Sequence, residues 1–109
     1  LNTTNWYTSK RWQSKRAKIM RRDGYICRYA SRFGRHEPAE MVHHIFPRED
    51  FPQYELCDWN LISLSRAAHN IMHDRDTGEL TKEGIDLLCR TARKNKIKIP
   101  DRYTEVSDN

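Results

Sequence analysis

Met41-Val42-His43-His44-Ile45-Phe46, followed by Asp58-Trp59-Asn60-Leu61 and then Ser65-Arg66-Ala67-Ala68-His69-Asn70-Ile71-Met72-His73, holds four of the five histidines of this chain. His69 and His73 are spaced i, i+4 in a segment of good helix formers. That spacing predicts both imidazoles on one helical face, placed to clamp a metal ion. The first block is rich in strand-favouring residues, and neighbouring strand side chains leave opposite faces. One ion therefore cannot easily take both His43 and His44. The economical arrangement puts one of them with His69 and His73 on the metal and leaves the other beside it to accept a proton. Three protein ligands leave coordination positions open, which marks catalytic rather than structural sites.

The order His-His, Asn after about fifteen residues, His nine later and His four after that resembles the HNH endonucleases, or ββα-metal nucleases. The similarity runs from Tyr25 to Arg75 and its register is closest to the branch that includes the nuclease colicins. It implies an α+β fold: a small ββα-metal domain, here with an added N-terminal basic helix and a C-terminal helix. It also implies a phosphodiester hydrolase of bacterial or phage origin, acting in the cytoplasm on DNA, with duplex the expected form. In relatives the residue before the base is Asp or His and ligates, so His43, His69 and His73 are the implied metal ligands. His44 is then the implied general base and Asn60 the residue that hydrogen-bonds its ring. One divalent ion is expected. Three imidazoles favour zinc or nickel by affinity, while magnesium or manganese could be the activating ion.

The chemistry agrees with those residue types. A phosphodiester repels nucleophiles and has a poor leaving group, so a cation is needed to withdraw charge, and an imidazole titrating near neutrality suits proton abstraction. Many relatives also hold a knuckle with a second, structural zinc on two Cys-x-x-Cys pairs. This chain has Cys27-Arg28-Tyr29-Ala30 and Ser65-Arg66-Ala67-Ala68 instead. One thiol cannot build a four-coordinate site, so no second zinc is expected, and Ala30 should pack near Ala68 where sulfur would have been.

The rest of the chain is read around this centre. Its 109 residues make one domain with one modest core. The net charge of +5 suits a polyanionic partner. Ten Lys or Arg lie between Lys10 and Arg35 against the single acid Asp23, so the charge is segregated. Lys10, Arg11, Lys15, Arg16, Arg22 and Arg28, with Arg48 beside the motif, are the candidate phosphate contacts. No apolar run approaches a membrane span and there is no signal-peptide pattern; a chain that begins with Leu can belong to a longer one. Three dispersed cysteines argue for a reducing compartment and against a disulfide framework.

The expected layout is an arm over 1–8, a basic helix over 9–22 capped by Ser9, the core over 25–75, a helix over 81–95 capped by Thr81, and a frayed tail over 101–109. Within the core, Tyr25 to Tyr29 reads as a strand and Gly34 as a turn. Two rival functions remain open at this point: a DNA-binding module without cleavage, and a ribonuclease or toxin using the same site.

Overall fold

The computed structural model describes the backbone of residues 3–107 and the side chains of residues 5–104. Two antiparallel strands, β1 (Met41–His44) and β2 (Leu61–Leu64), form the centre, with Met41 opposite Leu64 and His44 opposite Leu61. Helices α1 (Thr3–Tyr7), α2 (Lys10–Arg22) and α3 (Arg28–Arg32) precede the hairpin, and α4 (Arg66–Met72), α5 (Lys82–Asn95) and α6 (Asp101–Ser107) follow it. The β1, β2, α4 order is that of a ββα-metal domain, with one basic helix before it and α5 after it, as expected.

Local chemistry sets the boundaries. The Ser9 hydroxyl accepts from Trp12 N at 3.2 Å and that of Thr81 from Gly84 N at 3.2 Å, so both expected N-caps form, and the Ser65 hydroxyl caps α4 in the same way, accepting from Ala68 N at 3.1 Å. Helix α2 buries Trp12, Ile19 and Met20 and stops at Asp23, after which Gly24 and Tyr25 both take left-handed backbone (φ 64° and 61°). The second of these is unusual for a residue with a Cβ, and it turns the chain sharply toward the knuckle.

Two faces of the hairpin are covered differently. Leu61 packs with Trp12 and Ile19 of α2, supported by Val42, Leu56 and Trp6. Leu64 meets Cys27, Ala30, Ala68 and Met72 in a second buried cluster. Ala30 and Ala68 thus share the packed space where the expectation put them. A third cluster joins Ile45 and Phe46 to α5 and α6 through Ile85, Leu88, Cys89, Ala92 and Tyr103. The outer edge of β2 is capped: Ser63 N donates to Asp23 Oδ2 at 3.0 Å and Arg22 Nη2 donates to Leu61 O at 2.7 Å. An exposed strand edge is a template for pairing with another chain, and this Arg-Asp pair closes it.

Four expectations require correction. Tyr25 to Tyr29 is not a strand. Ile26 makes an isolated bridge to Pro38, and from Arg28 the chain is helical because the Cys27 thiol caps it, accepting from Ala30 N at 3.5 Å. The N-terminal arm docks through Trp6 on Trp12, with ring centroids 5.0 Å apart, but its backbone is helix from Thr3 rather than an irregular arm; positions 1–2 lie outside the described residues. The tail is helix to Ser107, held by the buried Tyr103, while positions 108–109 lie outside the described residues. Helix α4 ends at Met72, so His73 is extended (φ −127°, ψ 142°) and bridges Leu80.

Candidate metal centre

Because β1 alternates, its two histidines part company. His43 turns toward α4, with its ring centroid 5.5 Å from that of His69 and 5.2 Å from that of His73. One ring nitrogen from each of the three falls within 4.8 Å of the others. His43 is 2% exposed, and its Nε2 is buried without a hydrogen-bond partner. A buried donor or acceptor left unmade costs about 1–3 kcal/mol, so an orphan aimed among two other imidazoles marks a position for a ligand. Burial, then the neighbouring His73 and His69, push the His43 pKa well below the usual value, and burial followed by His73 and Arg66 lowers that of His69. Neutral imidazoles presenting lone pairs to one point are what a divalent cation requires. The donor set therefore fits a single metal ion.

His73 reaches the cluster although it lies past the helix end. Its Nδ1 lies 3.1 Å from the carbonyl of Gly78, which can only accept, so Nδ1 carries the proton and Nε2 is left with a lone pair that could face a metal. The turn behind it is shaped by Asp74, whose Oδ1 accepts from Asp76 N at 2.9 Å and Thr77 N at 3.0 Å. Gly78 adopts φ 77°, a conformation that favours glycine, and this aims its carbonyl at the ring. The sequence showed a turn here; its role as support for a ligand was legible only in three dimensions.

His44 leaves the other face of β1 and stacks on Trp12, with centroids 5.0 Å apart and planes inclined by 23°. Its Nε2 lies 3.0 Å from the Glu55 carbonyl. The same tautomer logic puts the proton on Nε2 and a bare lone pair on Nδ1. Burial depresses its pKa, the Glu55 carbonyl opposes that, and the Arg48 charge adds to the depression. His43, His44, His69 and His73 line one cavity of about 350 Å³ with Tyr7, Arg48 and Gly78.

Asn60 does not take the expected place beside the His44 ring. It is fully buried, its Oδ1 accepts from Phe46 N at 2.6 Å, and its Nδ2 donates to Phe46 O at 3.2 Å and Tyr54 O at 3.1 Å. It pins both ends of the loop that carries Arg48 and leads to Glu55. Its effect on His44 is thus indirect, through the loop that delivers the Glu55 carbonyl. The residues that hold His44 directly, Trp12 and Glu55, lie thirty-two residues before it and eleven after it in sequence, where no local pattern links them.

The basic candidates divide. Lys10, Arg11 and Arg28 are exposed and make no ion pair among the described residues. Lys15 and Lys18 both bind Asp58, at 2.5 and 2.8 Å, and these bonds hold its carboxyl at about 2. Arg16 donates to Glu40 O at 3.2 Å. Arg22 bonds Asp23, the Asp58 carbonyl and the Leu61 carbonyl, so it braces the fold. Arg48 lies at the cavity, 3.3 Å from Glu55 Oε2 and 4.2 Å above the Trp6 ring.

No protein-family model matches the sequence, and no curated protein matches it. A solved structure does: the HNH endonuclease of the deep-sea thermophilic bacteriophage GVE2, determined with a manganese ion, shares 29% identity over 62% of this chain and 74% of its own, with a TM-score of 0.61.

Proposed function

From the premise that this chain is a ββα-metal protein of the HNH family, we propose that it is a metal-dependent DNA endonuclease in which His43, His69 and His73 hold one divalent ion and His44 is the general base. The observation that carries the proposal is the pairing on one cavity of three convergent imidazoles with a fourth whose Nε2 is committed to a carbonyl. A divalent ion bound there would withdraw charge from the phosphate and stabilise the departing oxygen.

The chain's own residues do the rest. Burial disfavours the His44 cation and holds the ring toward its neutral form, in which Nδ1 carries the lone pair that takes a proton from water. The Glu55 carbonyl keeps the ring from rotating and favours the imidazolium once the proton arrives. The flat face of Trp12 fixes the ring plane. Arg48, kept in place by Glu55 and Trp6, offers its cationic head to a phosphate oxygen of the substrate. Duplex DNA is the preferred substrate in this reading, and manganese, the ion of the phage enzyme, is the first candidate for activation. The test is cleavage of supercoiled plasmid, single-stranded DNA and RNA by chelated protein and by protein reconstituted with zinc, manganese, magnesium or nickel. Metal-dependent nicking or linearisation of plasmid is expected; RNA cleavage without DNA cleavage would transfer the site to a ribonuclease.

A further inference from the structure

The capped outer edge of β2 borders a second cavity, of about 360 Å³, whose lining differs from that of the metal centre. Trp59, Leu61, Ile62 and Leu87 supply apolar walls, and Arg22, Arg28 and Lys94 supply charge. It is on the opposite edge of the hairpin from the cavity that follows β1. Arg28 comes from α3 and Lys94 from the last turn of α5. Arg32 of α3 and Arg90 of α5 add two further cations to the same two elements, close enough for the charge of Arg32 to act on Arg90.

The acids nearby do not neutralise this group. Asp23, which also lines the cavity, is engaged by Arg22 and Ser63. Asp86 faces Arg90 but pairs with Lys82 at 3.3 Å. Among the described residues, Arg28, Arg32, Arg90 and Lys94 make no ion pair and no side-chain hydrogen bond; Arg32 rests 5.9 Å from the ring of Phe33. Basic residues at the C-terminus of α5 are accounted for by its macrodipole. That reasoning also covers Arg32 in the last turn of α3, but it does not extend to Arg28, which opens that helix and lines the cleft opposite Lys94. Arg32 and Arg90 repel one another in the isolated protein, an effect that Asp86 opposes, and an anionic chain would relieve the repulsion.

We propose that the cleft between β2 and α5 is a second nucleic-acid contact, in which Arg28 and Lys94 at the cleft, with Arg32 and Arg90 on the same two helices beside it, grip the phosphodiester backbone of the substrate away from the scissile bond. The inference rests on the nuclease reading for the identity of the polyanion. Backbone is the occupant that fits, because Arg28 and Lys94 stand at the cleft as cations, while the Thr91 hydroxyl and the Asn95 amide in its lining already donate to the Leu87 and Thr91 carbonyls rather than outward to bases. Within the basic stretch, Lys15, Lys18 and Arg22 are bound to the fold itself, whereas Arg28 and Arg32 are not.

The experiment is DNA binding by the whole chain in chelator, so that no cleavage intervenes, with fluorescence anisotropy of a labelled duplex across a salt series. Each phosphate contact contributes a slope of about −0.9 in log K against log salt. Arg28→Glu with Lys94→Glu is the test variant, and Arg93→Glu with Lys96→Glu, equal in charge change but with neither residue lining the cavity, is the control. Thermal melting and metal titration establish that both fold. The groove variant should flatten the slope by about 2 and lose affinity at least tenfold at low salt, while the control shifts it by less than half as much. Equal losses in both variants, or an unchanged slope in the first, overturn the groove. Because the readout is binding, a protein that binds this way but cuts nothing would retain the groove and refute the nuclease reading, and cleavage with an unchanged slope would do the reverse.

Discussion

Asn60→Ala separates a residue that aims His44 from one that builds the loop around it. In the structure Asn60 alone serves the Phe46 N–H and C=O, whereas the Tyr54 carbonyl also accepts from Cys57 N at 3.1 Å and would keep that partner. Truncation therefore orphans two backbone groups at a position without solvent access. At about 1–3 kcal/mol for each unsatisfied group, the cost is roughly 2–6 kcal/mol, with about 4 as the central value. That is a large fraction of the ~5–15 kcal/mol by which domains are stable. Unfolding entropy of about 2.1 cal/mol/K per residue gives roughly 0.23 kcal/mol/K for a chain of this length, so the melting temperature should fall by about 17 °C. The assay is thermal unfolding followed by far-UV circular dichroism, with plasmid cleavage measured well below the variant's transition. Cleavage should be reduced, because a loosened loop no longer presents the Glu55 carbonyl to His44. A melting temperature within about 3 °C of the wild type, together with lost cleavage, would refute the reasoning and return Asn60 to a direct role on the ring.

Four other outcomes follow from the geometry. His44→Ala should keep metal affinity in calorimetric titration while losing roughly 10²–10⁴ in cleavage rate, whereas His43→Ala should weaken metal binding and be partly rescued by excess ion; the opposite pattern would exchange their roles. Elemental analysis of folded protein should find one transition-metal ion per chain, and two tightly held ions would contradict the packed knuckle around Cys27, Ala30 and Ala68. Burial alone would raise the Asp23 carboxyl, but the bonds from Arg22 and Ser63 together hold it below the ordinary value; its stabilisation is complete above the unfolded-state pKa near 3.8 and is lost as pH falls through the lower folded value. Asp23→Asn should accordingly be less stable than wild type to urea at pH 7, and the gap should narrow below about pH 4; a gap independent of pH would show that the charge is not what matters. Gly84→Ala would place a Cβ 2.5 Å from the Met72 carbonyl and 2.9 Å from Leu80 Cδ2, so α5 must shift away from the residue preceding His73. Lower melting temperature and weaker metal binding are expected together, and a variant as stable as wild type would show that the helices can separate without cost.

The sequence by itself determined the elements that depend on near neighbours. The Ser9, Ser65 and Thr81 caps and the alternation that parts His43 from His44 follow from local backbone geometry, and each appears in the fold. The helical reach expected from His69 to His73 does not, because α4 stops at Met72 and the turn to Gly78 brings His73 to the cluster instead. Tertiary structure decided what depends on long-range packing. A five-residue helix such as α1 or α3 has no local excess of stability over an extended arm or strand; Trp6 docking on Trp12 and Cys27 entering a buried cluster tipped those choices. Tyr103 made a helix of the tail in the same way. The orientation of His44 could not be read from its neighbours because its two supports, the Trp12 face and the Glu55 carbonyl, come from an earlier helix and a later loop. The assignment of Asn60 failed for a related reason: an amide can satisfy a ring or a backbone, and only the closed loop shows that the Phe46 groups had no other partner. Charge followed the same division. Composition revealed an excess of arginine and lysine in the first third of the chain, but which of them face outward was settled by Asp58, Asp23 and the Leu61 carbonyl, which bind several of them to the fold.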